Sequence, residues 1–171
     1  MPYERIWKRI LSQNEKLVFE FSIGRRYRFF KMLLRLVIWA ALLSLIVISI
    51  VSLTQVDHSI IVIGAIVLFL LATLYYAFYY LYYQEISNLY AFTNKRVVIH
   101  RGWFSTVTTS IDFDKITDVV VMEPFWARVL TKSGNLSINT AGTDQREVIL
   151  QNIPEPYEVK KKLDEIMGTV A

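Results

Sequence analysis

The chain has 171 residues, no cysteine and a formal net charge of +4. Without cysteine it has neither disulfides nor thiolate metal sites. A basic balance usually suggests nucleic acid, but residues 1–35 carry nine Lys/Arg against three acids, 36–87 carry only Asp57 and Glu85, and 88–171 carry ten of each sign. The excess therefore sits just ahead of a long apolar stretch, where anionic lipid headgroups, not nucleic acid, are the expected partner.

Residues 3–12 read as a short amphipathic helix. Tyr3, Ile6, Trp7 and Ile10 share one face, and Arg5, Lys8 and Arg9 lie mostly on the other. This face fits either the membrane interface or the surface of a folded domain. The start lacks a continuous apolar run and a small-residue cleavage site, so no signal peptide is expected. Residues 16–22 alternate in part and are aromatic and β-branched, which predicts a strand that must join a sheet elsewhere. Gly24 then precedes a basic cluster, Arg25, Arg26, Arg28, Lys31 and Arg35.

No Lys or Arg occurs between Arg35 and Lys95. Within that gap Leu36 to Thr54 and Ile60 to Tyr83 are each long enough to cross a bilayer core as helix, which takes about 20 residues. The turn between them, Gln55 to Ser59, has no basic residue, whereas Lys95, Arg96 and Arg101 follow the second span. Positive flanks stay inside, so a multi-pass hairpin with both termini in the cytoplasm and a minimal loop outside is expected. Neither span has a mid-depth charge, an ion pair or a proline, which argues against a transport pathway within the hairpin. The second span ends in paired tyrosines. An interfacial belt explains them ordinarily; their density also makes Tyr76, Tyr79, Tyr80 and Tyr83 a candidate helix-contact face.

From residue 88 the period changes to short β-rich segments: Asn88–Thr93, Arg96–Arg101, Thr106–Asp112, Ile116–Met122, Arg128–Thr131, Asn135–Thr140 and Arg146–Leu150. The continuous Val119 to Val121 run suggests a strand buried on both faces. A helix is expected after Asn152-Ile153-Pro154-Glu155-Pro156. Tyr157 or Val159, then Leu163, Ile166 and Met167, form its apolar stripe, and Gly168 is a candidate C-cap.

Several of these segments resemble the bacterial pleckstrin-homology (PH) domain family, whose members are flanked by membrane helices. Tyr90 to Ile99 is similar to its opening aromatic–x–hydrophobic–Thr–Asn–x–Arg hairpin, and Gly102-Trp103-Phe104 to its Gly–hydrophobic–Phe turn. Asp114 to Val119 is similar to its Asp–x–Ile–x–Asp–Val stretch, and Gly134 to Gly142 to its Gly–x–Leu–x–Ile–x–Thr–Ala–Gly segment. One departure falls in the run from Phe125 to Gly134, where the family has a Gly–x–Gly ending. Here the last glycine remains and the first is lost, which puts the turn geometry in doubt. The resemblance implies a membrane α-helical hairpin plus a small all-β PH-like barrel or sandwich of about seven antiparallel strands, closed by a C-terminal α-helix. The expected division is 1–31 for the amphipathic helix, strand and basic juxtamembrane segment, 32–56 and 59–84 for the transmembrane helices, and 88–168 for a cytoplasmic PH-like domain. Fold does not fix function, and a net-neutral domain with only Lys95, Arg96 and Arg101 in its opening hairpin is a poor phosphoinositide site.

No catalytic constellation, cofactor fingerprint or metal triad is evident, so no enzyme, no cofactor and no metal are expected. His100 reads as a packed or edge residue. Asp112 and Asp114 could face one cation but lack a third acid. Trp103-Phe104 and Phe125-Trp126, the latter just before Arg128, are core plugs or contact anchors, with core packing the ordinary outcome. The expected role is an interaction or oligomerisation module held at the inner leaflet, or an accessory subunit of a membrane transport or envelope-stress complex. Its partners would be anionic membrane lipids, with a homo-oligomer or another membrane protein as protein partner.

Overall fold

The computed structural model describes residues 3–53, 58–141 and 147–170. The expected turn at 55–57 lies outside these residues, as do Gly142 of the family-like segment and Arg146 at an expected strand start. The chain divides into two units, Met1–Tyr27 with Glu85–Ala171, and Arg28–Gln84.

In the first unit, α1 (Glu4–Ile10) precedes β1 (Leu17–Ser22). After the helical excursion come β2 (Asn88–Thr93), β3 (Arg96–Arg101), β4 (Val107–Asp112), β5 (Ile116–Met122), α5 (Phe125–Thr131), β6 (Ser133–Thr140), β7 (Val148–Pro154) and α6 (Pro156–Val170). The strands form two antiparallel sheets, ordered β1-β2-β3-β4 and β5-β6-β7. Seven strands were expected and seven form among the described residues, but the membership differs. Arg128–Thr131 is helix, and the seventh strand is β1, which pairs with β2 from Leu17↔Thr93 to Ser22↔Leu89.

Alternation along β2 and β3 divides their side chains between two faces. Tyr90, Phe92, Val97 and Ile99 enter the main core with Leu136, Ile138, Leu150 and Ile153, and α6 adds Val159 and Leu163. Of the two candidates for its stripe, Val159 is buried and Tyr157 is exposed. Phe19 and Phe21 of β1 extend this core through ring contacts with Phe92 at 6.0 and 5.0 Å. Leu89, Ala91 and Val98 face the other way and are covered by α1, whose Trp7 is 2% exposed. The amphipathic helix therefore docks on the folded domain. The strands buried on both faces are β2 and β3, not the valine-rich β5, where Val119 enters the core and Val120, on the opposite face of the sheet, is exposed.

Two backbone positions settle the turns. Gly102 has φ +95°, and a Cβ there would meet the Ser105 carbonyl oxygen, so only glycine fits this tight β3–β4 connection. The missing glycine of the family-like Gly–x–Gly run falls on Lys132, which keeps the left-handed conformation (φ 48°) and ends α5. The turn survives, at a steric cost of about 1–2 kcal/mol for a residue with a Cβ. The α6 helix runs through Gly168 to Val170, so Gly168 is not its cap.

The second unit contains most of α2 (Arg25–Leu53) and α3 (His58–Ala77). The α3 helix passes into a π-helical segment, Phe78–Tyr83, and a last α-turn, α4 (Gln84–Ile86). Arg25–Leu53 and Ser59–Ile86 are 29 and 28 residues long, are apolar enough to cross a membrane, and keep their most apolar windows unburied.

Replacing Trp7 with Ala removes the largest side chain between α1 and the sheet. It should lower stability by about 3–5 kcal/mol, read as a fall in the denaturation midpoint of the detergent-solubilised protein. An unchanged midpoint would show that α1 does not hold the sheet.

Candidate functional site

The N-terminal segment is locked to the β2–β3 turn by one carboxylate. Arg96 donates to Glu15 through Nε (2.8 Å to Oε1) and a terminal guanidinium nitrogen (2.7 Å to Oε2). The Thr93 hydroxyl adds a bond to Oε1 at 2.9 Å, and the Ser12 backbone N–H one to Oε2 at 3.1 Å. Thr93 Oγ1 also accepts from the backbone N–H groups of Lys95 and Arg96, which fixes the turn. Burial by itself pushes the Glu15 carboxyl up, but hydrogen bonds from Arg96, Ser12 and Thr93, with the Arg96 charge, hold it below the ordinary glutamate range. Beside this clip, Trp7 Nε1 donates to Glu20 Oε2 at 2.8 Å, and the Tyr3 hydroxyl donates to Glu85 Oε1 at 2.7 Å.

A groove of about 500 Å³ runs between α1 and the β3–β4 hairpin. Its polar wall is Arg5, Arg9, His100, Thr106 and Thr108. His100 Nδ1 lies 3.1 Å from Thr108 Oγ1, and burial lowers its pKa. The alternation that turns Val98 toward Trp7 turns His100 the same way. That signal was present in the sequence. The sequence also marks residues 3–12 as an amphipathic helix, but leaves open whether its apolar face meets a membrane or the folded domain.

The basic cluster is not uniform. Arg25 and Arg26 are exposed and belong to the first unit; Arg28, Lys31 and Arg35 belong to the second. Arg35 is exposed and Lys31 half-buried. Arg28 is only 4% exposed and donates to the Leu81 carbonyl at 2.7 Å, tying α2 to the π-helical segment.

Tyr80 is buried, while Tyr76, Tyr79 and Tyr83 are half-buried and Tyr75 and Tyr82 exposed. Tyr75, Tyr79 and Tyr83 form a stacked ladder with centroids 6.2 and 5.5 Å apart.

Core packing fails for both aromatic pairs. Phe104 is 91% exposed and Trp103 partly so; Phe125 and Trp126 are 68% and 70% exposed. On α5, Val129 and Leu130 are exposed as well, and Arg128 pairs loosely with Glu123 at 3.8 Å. Reading Arg128–Thr131 as a strand hid this patch; helical spacing in Phe125, Trp126, Val129 and Leu130 was the available signal.

Residues 32–167 match the sequence profile described as the bacterial PH domain. The chain belongs to the bacterial PH domain family. No curated protein matches it in sequence. Among solved structures it is similar to a DUF1696 family protein with a pleckstrin-homology domain from Shewanella loihica PV-4, at 11% identity over 97% of this chain and 94% of that one (TM-score 0.47). It is also similar to a pleckstrin homology domain from Shewanella amazonensis SB2B, at 10% identity over 97% and 96% (TM-score 0.48). In this bacterial PH domain the Thr93-Asn94-x-Arg96 motif has a structural task. Thr93 and Arg96 hold Glu15, and Asn94 Oδ1 accepts the Lys16 backbone N–H at 2.9 Å.

Arg96→Met leaves a nearly buried carboxylate without its counter-charge and should cost about 3 kcal/mol or more. The pH dependence has a definite sign. The folded Glu15 pKa is depressed, so its contribution is complete above the unfolded value of about 4.3 and is lost as pH falls through the folded one. Glu15→Gln should flatten that acid limb in denaturation midpoints measured between pH 3 and 7. An unaltered limb would remove Glu15 from the account.

Proposed function

We propose that this protein is a non-enzymatic integral membrane protein that presents its PH-like domain as an interaction or oligomerisation module at the inner leaflet. One observation carries the anchor. The β1 and β2 strands are neighbours in one sheet, with Ser22 opposite Leu89, yet the two membrane-length helices lie between them in the chain. Two strands of one sheet occupy one side of a membrane. If the helices cross it, they cross as a pair, and residues 3–22 and 88–170 share a compartment. The basic flank Arg25, Arg26, Lys31 and Arg35, against a turn without Lys or Arg, supports the cytoplasm as that compartment. Exposed Arg25 and Arg26 are the best-placed cations for anionic headgroups, each worth about 1 kcal/mol near such a surface.

The interaction role is supported by α5. Phe125, Trp126, Val129 and Leu130 form an exposed apolar patch with Arg128 beside it, the side-chain types that anchor protein contacts. The tyrosine ladder on the second helix supports the alternative reading, an accessory subunit of a membrane transport or envelope-stress complex, in which a different chain meets that face.

Single cysteines introduced as Ser12→Cys and Thr169→Cys should both react with a membrane-impermeant thiol reagent only after the cytoplasmic side is opened. Labelling from opposite sides would end the paired-span reading. In nanodiscs, native mass spectrometry should give a discrete homo-oligomer whose dissociation constant rises at least tenfold in Phe125→Ser/Trp126→Ser, without a lower melting midpoint, because both side chains are already exposed. A protein co-purifying at fixed ratio would favour the accessory-subunit reading. A monomer under all conditions would sink the oligomerisation role.

A further inference from the structure

We propose that the free edge of β4 takes up an extended acidic segment of a different protein as an added antiparallel strand. This surface is separate from the α5 patch and requires no membrane, so it stands or falls independently of the anchored-module reading.

Backbone direction is the first argument. The β4 strand ends the order β1-β2-β3-β4 and pairs with β3 alone. Just beyond it, the Phe113 N–H donates to the Lys95 carbonyl ahead of β3. Bonding alternates along an antiparallel pair, so Ile111, Thr109 and Val107 turn their backbone groups toward β3. Thr108 and Ser110 turn theirs outward, to the open edge.

The second argument is that this edge lacks protection. Folded proteins blunt sheet edges with charge, proline, bulges or cover. The β5 edge carries exposed Asp118 beside a register irregularity. The β1 and β7 strands adjoin one another, with the Gly24 N–H on the Asn152 carbonyl at 2.8 Å. On β4 the register with β3 is unbroken, and residues 105–111 contain neither charge nor proline. Thr106, Val107, Thr108 and Thr109 are β-branched and suit an interior strand. Yet residues 103–110 are all exposed, Val107 at 63%.

Charge chooses the occupant. A residue opposite Thr108 on an added strand would project on the face that Thr108 shares with its β3 partner His100. Thr106 and Thr108 line one hollow on that face with Arg5 and Arg9 of α1, and among the described residues no carboxylate lines it. Both arginines are exposed, whereas Lys8 between them is paired with Glu4 at 2.8 Å. A carboxylate opposite Thr108 meets that unanswered charge. The residues on either side of it fall on the other face, beside Val107 and Thr109, where apolar side chains pack. The segment that fits therefore alternates apolar and acidic residues, with its main chain supplying the ladder. A second copy fits less well. Antiparallel pairing of two β4 strands sets both Arg5 and Arg9 pairs on one face of the joined sheet, with no carboxylate lining either hollow.

The test titrates the full-length protein, in an uncharged detergent, into fluorescent peptides blocked at both ends, followed by anisotropy. One peptide alternates valine and glutamate, one valine and lysine, and one has prolines for the central valines of the first. The wild type should bind the glutamate peptide saturably, at least tenfold more tightly than the lysine peptide, and should not bind the proline peptide. Hydrogen exchange should slow at least tenfold in residues 107–111 when the glutamate peptide is bound. Thr108→Pro removes an outward N–H, a change that an edge strand tolerates; it should abolish binding with the melting midpoint kept. Arg5→Glu/Arg9→Glu leaves β4 intact and should reverse the preference toward the lysine peptide. Phe125→Ser/Trp126→Ser should bind as the wild type does, which separates this edge from the α5 contact. Equal affinity for the two charged peptides overturns the acidic partner. Binding of the proline peptide, or protection outside β4, overturns strand addition. Absence of binding overturns the site, and a peptide-free dimer lost in Thr108→Pro gives the edge to a second copy instead.

Discussion

The structure depends on one constraint: β2 and β3 are apolar on both faces. Tyr90, Phe92, Val97 and Ile99 need the core, and Leu89, Ala91 and Val98 need a cover. Left open, that outer face would put a band of apolar side chains in water at about 25 cal/mol for each Å². The cover comes from residues that precede the helical hairpin, through Trp7, and it is held by a bidentate ion pair spanning 81 positions, Glu15 to Arg96. The edge of β2 would likewise be open without β1. The PH-like body therefore draws on chain from both sides of the hairpin, although the family match begins only at residue 32.

The same arrangement gives the motif residues their meaning. Thr93, Asn94 and Arg96 resemble a turn signature in sequence, and the turn is indeed theirs. Their side chains also reach across to Glu15 and the Lys16 backbone, so the signature encodes attachment as much as chain reversal. Arg28 is a parallel case. Its charge identifies it with a basic flank, but its guanidinium serves a carbonyl of a π-helical segment inside the second unit.

What could be read from the sequence was what local pattern controls. The two apolar spans, the strands β2 to β6 within a residue or two, and the closing helix follow from hydropathy length and period. The errors share one cause, partners far away in the chain. Arg128–Thr131 has strand-forming residues, yet it continues the helix that starts at Phe125 and ends at left-handed Lys132. Val119 to Val121 looks like a strand buried on both faces, yet only one face meets the core and Val120 on the other is exposed. Among the candidate contact residues, Trp103, Phe104, Phe125 and Trp126 were recognisable as aromatics in connections. Whether they pack or project depends on the sheets around them. The Arg5, Arg9 and His100 grouping could not be read at all, because it exists only once α1 lies on the sheet.

The pairing of β1 with β2 also bears on how the chain is made. A strand finished at residue 22 must wait for one that begins at residue 88, several seconds of synthesis at about 5–20 residues per second. In that interval β1 has an unsatisfied edge and two phenylalanines without a core. Closing so long a loop carries an entropic penalty in free solution. If the two helices cross a bilayer as a pair, their outer ends return to the same side, which would remove part of that penalty and raise the effective concentration of one strand for the other. In that case a bilayer would act as a template for the strand-built unit, and folding of that unit would report that both helices had been inserted.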